Sequence, residues 1–279
     1  MTKPPMRIDT SVPNVARMYD YYLGGRNNFD ADRKAAEHVL RLVPGVRRAV
    51  AINRAFLQAA VRYLATEADI DQFLDIGVGL RTEGSVHEVA HEVRPDARTA
   101  YVDHDPVVVS HANALLARTR MTIAVSGDLL RPAEMLADPA IRRHLDFGRP
   151  IGVILLGILH FVSDDDDPAG IIAALREALA PGSYLAITHL GALLGVEGDH
   201  ALRIYRGAGQ PVFPRTSAEL TRLLDGFELI DPPAGLLDPP VITGRGSRPG
   251  GPSGGGQQPG GQEVTSRSPT GWRILARLP

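Results

Sequence analysis

The residues with the plainest chemistry sit in one short stretch, Phe73-Leu74-Asp75-Ile76-Gly77-Val78-Gly79. An apolar run enters an aspartate and then two glycines one residue apart. That pattern predicts a buried parallel strand closing in a tight turn, because glycine takes positive φ and offers no Cβ to an approaching ligand. Ligands of open α/β sheets lie beyond the carboxyl ends of the strands. Asp75 would there accept from an ammonium group, directly or through water, and Gly77 and Gly79 would admit the group that carries it. Asp103 follows the next apolar run and could accept from both hydroxyls of a ribose. Asp105 could share that role or cap the helix opening at Pro106. Asp128, after Gly127, would accept from the exocyclic amine of adenine, with Leu129 against the ring. Strand, acid and G-x-G together point to S-adenosylmethionine.

Leu156, Gly157 and His160 fall beyond a later apolar strand, where a small-molecule methyl acceptor should approach. His160 is the candidate general base, because imidazole titrates near neutrality. The alternative is a histidine packed beneath the helix that opens at Pro168. Displacement at a sulfonium methyl needs alignment more than acid–base help, so proximity and orientation could carry most of the catalysis. Tyr19 and Asn28 belong to a stretch at 14–30 rich in aromatic and amide groups. It reads either as a short helix packed by its tyrosines before a Gly24-Gly25 turn, or as a lid with amides facing the ligand.

Other chemistries leave weaker marks. A dinucleotide site asks for G-x-G-x-x-G opening a helix. Here Thr82 stands at the third glycine position and Glu83 follows, a carboxylate that would compete with a pyrophosphate. His87-Glu88-Val89-Ala90-His91 matches the H-E-x-x-H of zinc peptidases, and His104 or His111 could supply a third ligand. The match lies directly after a G-x-G turn inside a βα unit, the wrong context, so no metal is expected. The aspartates at 164–167 lack the spacing of an EF-hand loop and read as a solvated helix start before Pro168.

These side chains need elements to hold them. Apolar spacing predicts helices at 30–42 and 46–66, the second carrying Asn53 and Arg54 as solvated or capping groups. Strands are predicted at 72–76, 98–102, 121–125, 151–156, 184–188, 227–230 and 272–278. Helices are predicted between them at 85–93, 106–117, 132–145 with a break near Pro139, 168–180 and 217–224. The continuous apolar run 151–156 suits a central strand covered on both faces. No shape is assigned to 190–210. Residues 244–269, rich in Gly, Pro, Ser and Gln, cannot build a core and read as a flexible loop before the last strand.

With 279 residues the chain can bury one sizeable core. It has no cysteine, which excludes disulfides, a thiolate nucleophile and cysteine-based metal sites. A formal net charge of −2 gives no reason to expect nucleic acid or an anionic membrane. The polar start lacks an apolar signal core, and the longest apolar run, 151–159, is too short to span a bilayer. The expectation is a soluble cytoplasmic protein, monomer or homodimer.

Further stretches carry a resemblance. Ser11-Val12-Pro13, Tyr19-Asp20-Tyr21, Leu23-Gly24-Gly25, Asn28-Phe29 and Ala31-Asp32-Arg33 open the chain. Asn53-Arg54-Ala55-Phe56, Val86-His87-Glu88-Val89-Ala90, Leu159-His160-Phe161, Asp166-Asp167-Pro168 and Pro181-Gly182-Ser183-Tyr184 follow. With the 73–77 and 101–103 stretches, these resemble the actinobacterial S-adenosyl methyltransferase family, formerly a domain of unknown function, over most of 10–243. The resemblance implies a three-layer α/β sandwich with the seven-stranded, mostly parallel, Rossmann-like sheet of class I methyltransferases. The strand near Trp272 would insert antiparallel beside the fifth. Residues 1–13 read as a loose tail, and the resemblance implies a helical extension and lid at 14–70 and a methyltransferase domain at 71–279. It also implies a cofactor site at Asp75, Gly77, Asp103 and Asp128, with the opening stretch helping to close it. Val78 and Arg81 depart from the threonine and proline usual around the turn, and the 244–269 insertion departs from the usual ending. The resemblance supplies no acceptor, so a non-catalytic cofactor-binding or regulatory protein of the same fold is the alternative reading.

Overall fold

Residues 9–80, 84–116, 119–191, 195–230, 241–243, 246–248 and 271–279 are described by the computed structural model. Three helices, α1 (Val15–Tyr22), α2 (Asp30–Leu42) and α3 (Val46–Thr66), precede β1 (Gln72–Ile76). Strand and helix then alternate: α4 (Val86–Val93), β2 (Arg98–Asp103), α5 (Pro106–Leu116), β3 (Thr122–Ser126), α6 (Pro132–Leu136), α7 (Pro139–His144), β4 (Gly152–Leu156), α8 (Pro168–Ala178) and β5 (Tyr184–Leu190). The chain continues through α9 (Gly195–Gly207), α10 (Ser217–Leu223), β6 (Glu228–Leu229), β7 (Val241–Thr243), β8 (Gly246–Arg248) and β9 (Gly271–Arg277). Turns of 3-10 helix span Leu159–Phe161 and Asp164–Asp166.

The strands form one sheet in the order β3-β2-β1-β4-β5-β9-β7-β8, with β6 also pairing with β9. Strands β1 to β5 are mutually parallel, and β9 inserts antiparallel along β5 from Leu190↔Gly271 to Tyr184↔Arg277. The mostly parallel α/β sandwich is therefore as expected. Among the described residues the strand count is nine rather than seven. The additions are β7 and β8, and β8 falls within 244–269, where composition predicts only a loop. It pairs with β7 through the backbone, and a short ladder of N–H and C=O groups needs no apolar side chains. The rest of that loop, like Arg81, Thr82 and Glu83, lies outside the described residues.

Side chains alternate across each strand, and β1 is buried along its length. Leu74 and Ile76 face a core shared with Met135 of α6, Ile141 of α7, Leu175 of α8 and Leu220 of α10. Phe73 faces the opposite core, shared with Leu64 of α3, Val89 of α4 and Ala112 of α5. Asp75 shares the Phe73 face and so points toward α3. The sheet order reverses between β1 and β4, which opens a crevice beyond their carboxyl ends.

Over that crevice α1, α2 and the start of α3 form a cap with α9, around Met18, Val39, Val50 and Ala201. The opening stretch is a hydrogen-bonded staple. Asp32, fully buried, takes Arg17 Nε (2.7 Å) and the backbone N–H groups of Asn14 (2.8 Å) and Phe29 (2.7 Å). Asp20 accepts from the Asn27 N–H and Asn28 Nδ2, both at 2.8 Å. A Cβ on Gly25 would stand 2.2 Å from Asp20 Oδ1, so the turn needs glycine there. Asn14 caps α1 and also donates through Nδ2 to Asp105 Oδ2 (3.3 Å), tying the cap to the end of β2.

Candidate active site

The crevice is a cavity of about 330 Å³ between the carboxyl edge of the sheet and the helical cap. Asp75, Gly77, Gly79, Asp103, Gly157, His160 and Tyr19 all border it. Residues widely separated in sequence are thus brought to one space. Asn28 stands apart from it: its amide donates to Asp20 Oδ2 and to Gly25 O (2.9 Å), inside the staple. Asp128 lies just past β3 but does not border the cavity. Its Oδ1 accepts from the Leu130 N–H (3.0 Å), and Leu129 is buried in the core.

Gly77 and Gly79 both have positive φ, +77° and +62°, yet they serve different ends. A Cβ on Gly77 would stand 2.6 Å from Ile158, so its bareness lets the β1 and β4 loops pack. A Cβ on Gly79 would meet nothing closer than Ala16 Cβ at 4.0 Å, so open space faces this glycine. The Gly79 N–H donates to Asp103 Oδ2 (2.9 Å), and the Asp105 N–H donates to Asp103 Oδ1 (2.9 Å). Each carboxylate oxygen keeps a further lone pair.

Asp75 is 7% exposed and has no hydrogen-bond donor among the described residues. Burial pushes its carboxyl up to about 7, the Arg54 guanidinium opposing and Asp103 reinforcing the rise. Burial raises Asp103 too, against the Asp105 and Gly79 N–H groups. A buried carboxylate without a donor is costly unless something cationic completes it. Such a group fits the ammonium of S-adenosylmethionine, and Asp103 beside it fits the ribose diol. Two acids at one turn would instead repel a pyrophosphate, which counts against a dinucleotide.

His160, in the 3-10 turn after β4, borders the cavity, and its Nδ1 is buried with no partner among the described residues. Burial, then His189 and Arg215, depresses its pKa to about 3. Its ring stands edge-on to His189, with centroids 5.6 Å apart. His189 at the end of β5 is fixed by Arg215, whose Nη1 lies 3.2 Å from Nε2. A guanidinium only donates, so Nε2 is the bare nitrogen and Nδ1 gives its proton to Leu190 O (2.8 Å). Arg215, 6% exposed, also donates to Leu159 O (3.2 Å), Val162 O (2.8 Å) and Asp164 Oδ1 (2.7 Å), holding the loop that carries His160. Both imidazoles are therefore neutral at pH 7, and His160 is a poor holder of a proton.

Asn53 and Arg54 border the cavity rather than solvent. Asn53 Nδ2 donates to Tyr19 Oη (2.8 Å), and Thr188 Oγ1 donates to Asn53 Oδ1 (2.7 Å), joining α1, α3 and β5. Thr188 and His189 carry a legible signal, the carboxyl end of a parallel strand. Arg215 carries none, because its partners come from distant segments. His87 is engaged with Tyr101, its Nδ1 2.8 Å from Tyr101 Oη. His91 Nε2 lies 2.9 Å from Ala97 O. Among the described residues no cluster of His, Asp or Glu could hold a metal ion, and no helix is long and apolar enough to cross a membrane.

Residues 1–241 match a family model described as S-adenosyl methyltransferase. Two crystal structures are similar over nearly the whole chain. A candidate methyltransferase from Thermobifida fusca YX is 38% identical, with 100% of this chain and 99% of that one covered and a TM-score of 0.82. A duf574 family protein from Streptomyces avermitilis MA-4680 is 34% identical, with 98% and 100% covered and a TM-score of 0.82. No match is found among curated proteins.

Proposed function

The chain belongs to the S-adenosyl methyltransferase family, and within that family we propose that it uses the cavity under its helical cap to methylate a small molecule, with Asp75 as the anchor of the cofactor. The observation that carries this reading is the buried Asp75 carboxylate, which borders the cavity with no donor among the described residues. Bound there, S-adenosylmethionine supplies an electrophilic methyl group on a sulfonium.

This chain's own residues bind, orient and exclude water. Asp75 accepts from the ammonium group, and the space facing Gly79 admits the neighbouring chain atoms. Asp103, already oriented by two backbone N–H groups, accepts from the ribose hydroxyls. Asp128, past the end of β3 and outside the cavity lining, would accept from the adenine amine. Gly157 leaves room beside His160 for the acceptor. With its basicity depressed by burial, His160 orients the acceptor by a hydrogen bond rather than storing its proton. The cap of α1, α2 and α9 keeps the reacting atoms out of bulk water, where alignment contributes most.

Calorimetry with S-adenosylmethionine and S-adenosylhomocysteine tests the cofactor reading; no detectable heat at millimolar ligand would sink it. Mass spectrometry of cell extract incubated with the protein and methyl-labelled S-adenosylmethionine tests the transfer. A labelled small product is expected, and label confined to macromolecules would count against a small acceptor.

A further inference from the structure

Past the glycine turn the cavity continues into a chamber between the helical cap and the ends of β4 and β5. Its sides are apolar, with Val39, Val43, Val50 and Ala201 among them. Its hydroxyl, amide and imidazole fittings are neutral groups. Tyr22 Oη and Tyr205 Oη are 3.3 Å apart, so one hydroxyl donates to the other and one phenolic proton is left for a guest. Tyr19 Oη accepts from Asn53 Nδ2, which leaves its own proton without a protein acceptor among the described residues. A Cβ on Gly157 would stand 3.6 Å from Asn53 Nδ2 and 3.8 Å from His160 Cε1. The Tyr19–Asn53 pair and the imidazole therefore flank one small gap. Neither nitrogen of His160 has a hydrogen-bond partner among the described residues, and Nδ1 is fully buried.

Charge narrows the guest. The acids bordering the cavity are Asp75, Asp103 and Asp105 among the described residues, all at the glycine-turn end. An ammonium acceptor entering the chamber would find no counter-ion. The guanidinium groups bordering the cavity among the described residues are Arg54 of α3 and Arg273, opposite Thr188 in register, and Arg215 lies behind His189. None of the three is a free cation for a carboxylate: Arg54 donates to Gly84 O (3.1 Å) and faces Asp75. Arg273 has an interaction of its own, and Arg215 is bound to two carbonyls and Asp164. With no acid and no free cation in the chamber among the described residues, a neutral guest is favoured, and one whose hydroxyl is acidic enough to give up its own proton, since buried His160 is too weakly basic to store it.

We propose that the acceptor is an apolar molecule with an acidic hydroxyl, a phenol or an enol, and that its oxygen sits over Gly157 between His160 and the Tyr19–Asn53 pair and takes the methyl group. This rests on the methyl-transfer reading above and names its substrate class. The oxygen's electron pair forms the O–CH3 bond as the S–CH3 bond breaks. That bond's electrons stay on sulfur and the hydroxyl proton passes to water, so the products are a methyl ether, S-adenosylhomocysteine and a proton.

Three probes separate the outcomes: 2-naphthol, 2-naphthoate and 2-naphthylmethylammonium share a ring and differ in charge. Each is titrated calorimetrically into the full chain saturated with S-adenosylhomocysteine. Naphthol should bind at least about tenfold more tightly than either ion, a difference of about 1.4 kcal/mol. Ala49→Phe, which fills the chamber wall, should weaken naphthol by about tenfold or more and leave S-adenosylhomocysteine affinity within about twofold. Val46→Phe replaces it if a melting curve shows that Ala49→Phe does not fold. No naphthol binding at millimolar concentration, equal or tighter binding of either ion, or a folded filler variant that binds naphthol like the wild type overturns the acceptor class. Failure of the wild type to bind S-adenosylhomocysteine overturns the cofactor reading instead.

Discussion

Asp75 shows how one buried carboxyl can set affinity, stability and pH dependence together. Its folded pKa of about 7 lies above the ordinary 3.8. Between these values the folded chain holds a proton that the unfolded chain has lost. The stability this confers is fully present below about pH 3.8 and is lost as pH rises through about 7. Asp75→Asn should therefore melt at a higher temperature than the wild type at pH 8, by about 2–6 °C, with the gap closing toward pH 4. Cofactor affinity should move oppositely, since an ammonium needs the ionised form. In calorimetry the substitution should weaken S-adenosylhomocysteine by about 30-fold or more, and wild-type affinity should fall by about tenfold per pH unit below 7. A variant that melts lower at pH 8 but binds as well as the wild type would contradict this account. Asp75, Gly79 and Asp103 were legible in sequence because strand-end acids and a glycine turn are local signals. The depressed basicity of His160 was not, because its causes are burial and the distant His189 and Arg215.

Among the elements, the helices before β1 are fastened to the sheet by polar groups as well as by apolar packing. Asn14–Asp105 and Asn53–Thr188 make the ties to the sheet, while the buried Arg17–Asp32 pair (2.7 Å) clasps α1 to α2 within the cap, and truncating one partner leaves the other charge buried and unmet. Asp32→Ala should cost about 3–5 kcal/mol in urea unfolding, whereas Asp30→Ala, on the exposed face of the same helix, should cost less than about 1 kcal/mol. Equal losses would mean that the staple is not a clasp. Arg215→Met should destabilise by about 2–4 kcal/mol, because buried carbonyls lose their donors. The His189 ring signals in NMR should also broaden or shift as its tautomer is released. Strands β1 to β5 and helices α2 and α3 follow from periodicity within a residue or two, since each buries a continuous face. The shape of 195–207 could not be read, because α9 is amphipathic only against a cap built from the start of the chain. The β7–β8 pair is held by backbone ladders that leave no pattern in side-chain type.

For the molecule as a whole, the fold places acids at one end of a cavity and neutral hydrogen-bonding groups at the other, with the helical cap over both. A ligand that binds there should stabilise cap and sheet together. S-adenosylhomocysteine at a hundredfold excess over Kd should add about 2.7 kcal/mol, or about 5–10 °C in Tm. Hydrogen exchange should slow in α1 and α3 as well as at the ends of β1 and β2; protection confined to the sheet would separate the cap from the site. The central claim is tested most directly by a crystal structure of the chain with S-adenosylhomocysteine. The account predicts the amino group within hydrogen-bond distance of the Asp75 carboxylate and the ribose hydroxyls on Asp103. A nucleoside bound elsewhere, or one in this cavity with both carboxylates turned from it, would contradict it.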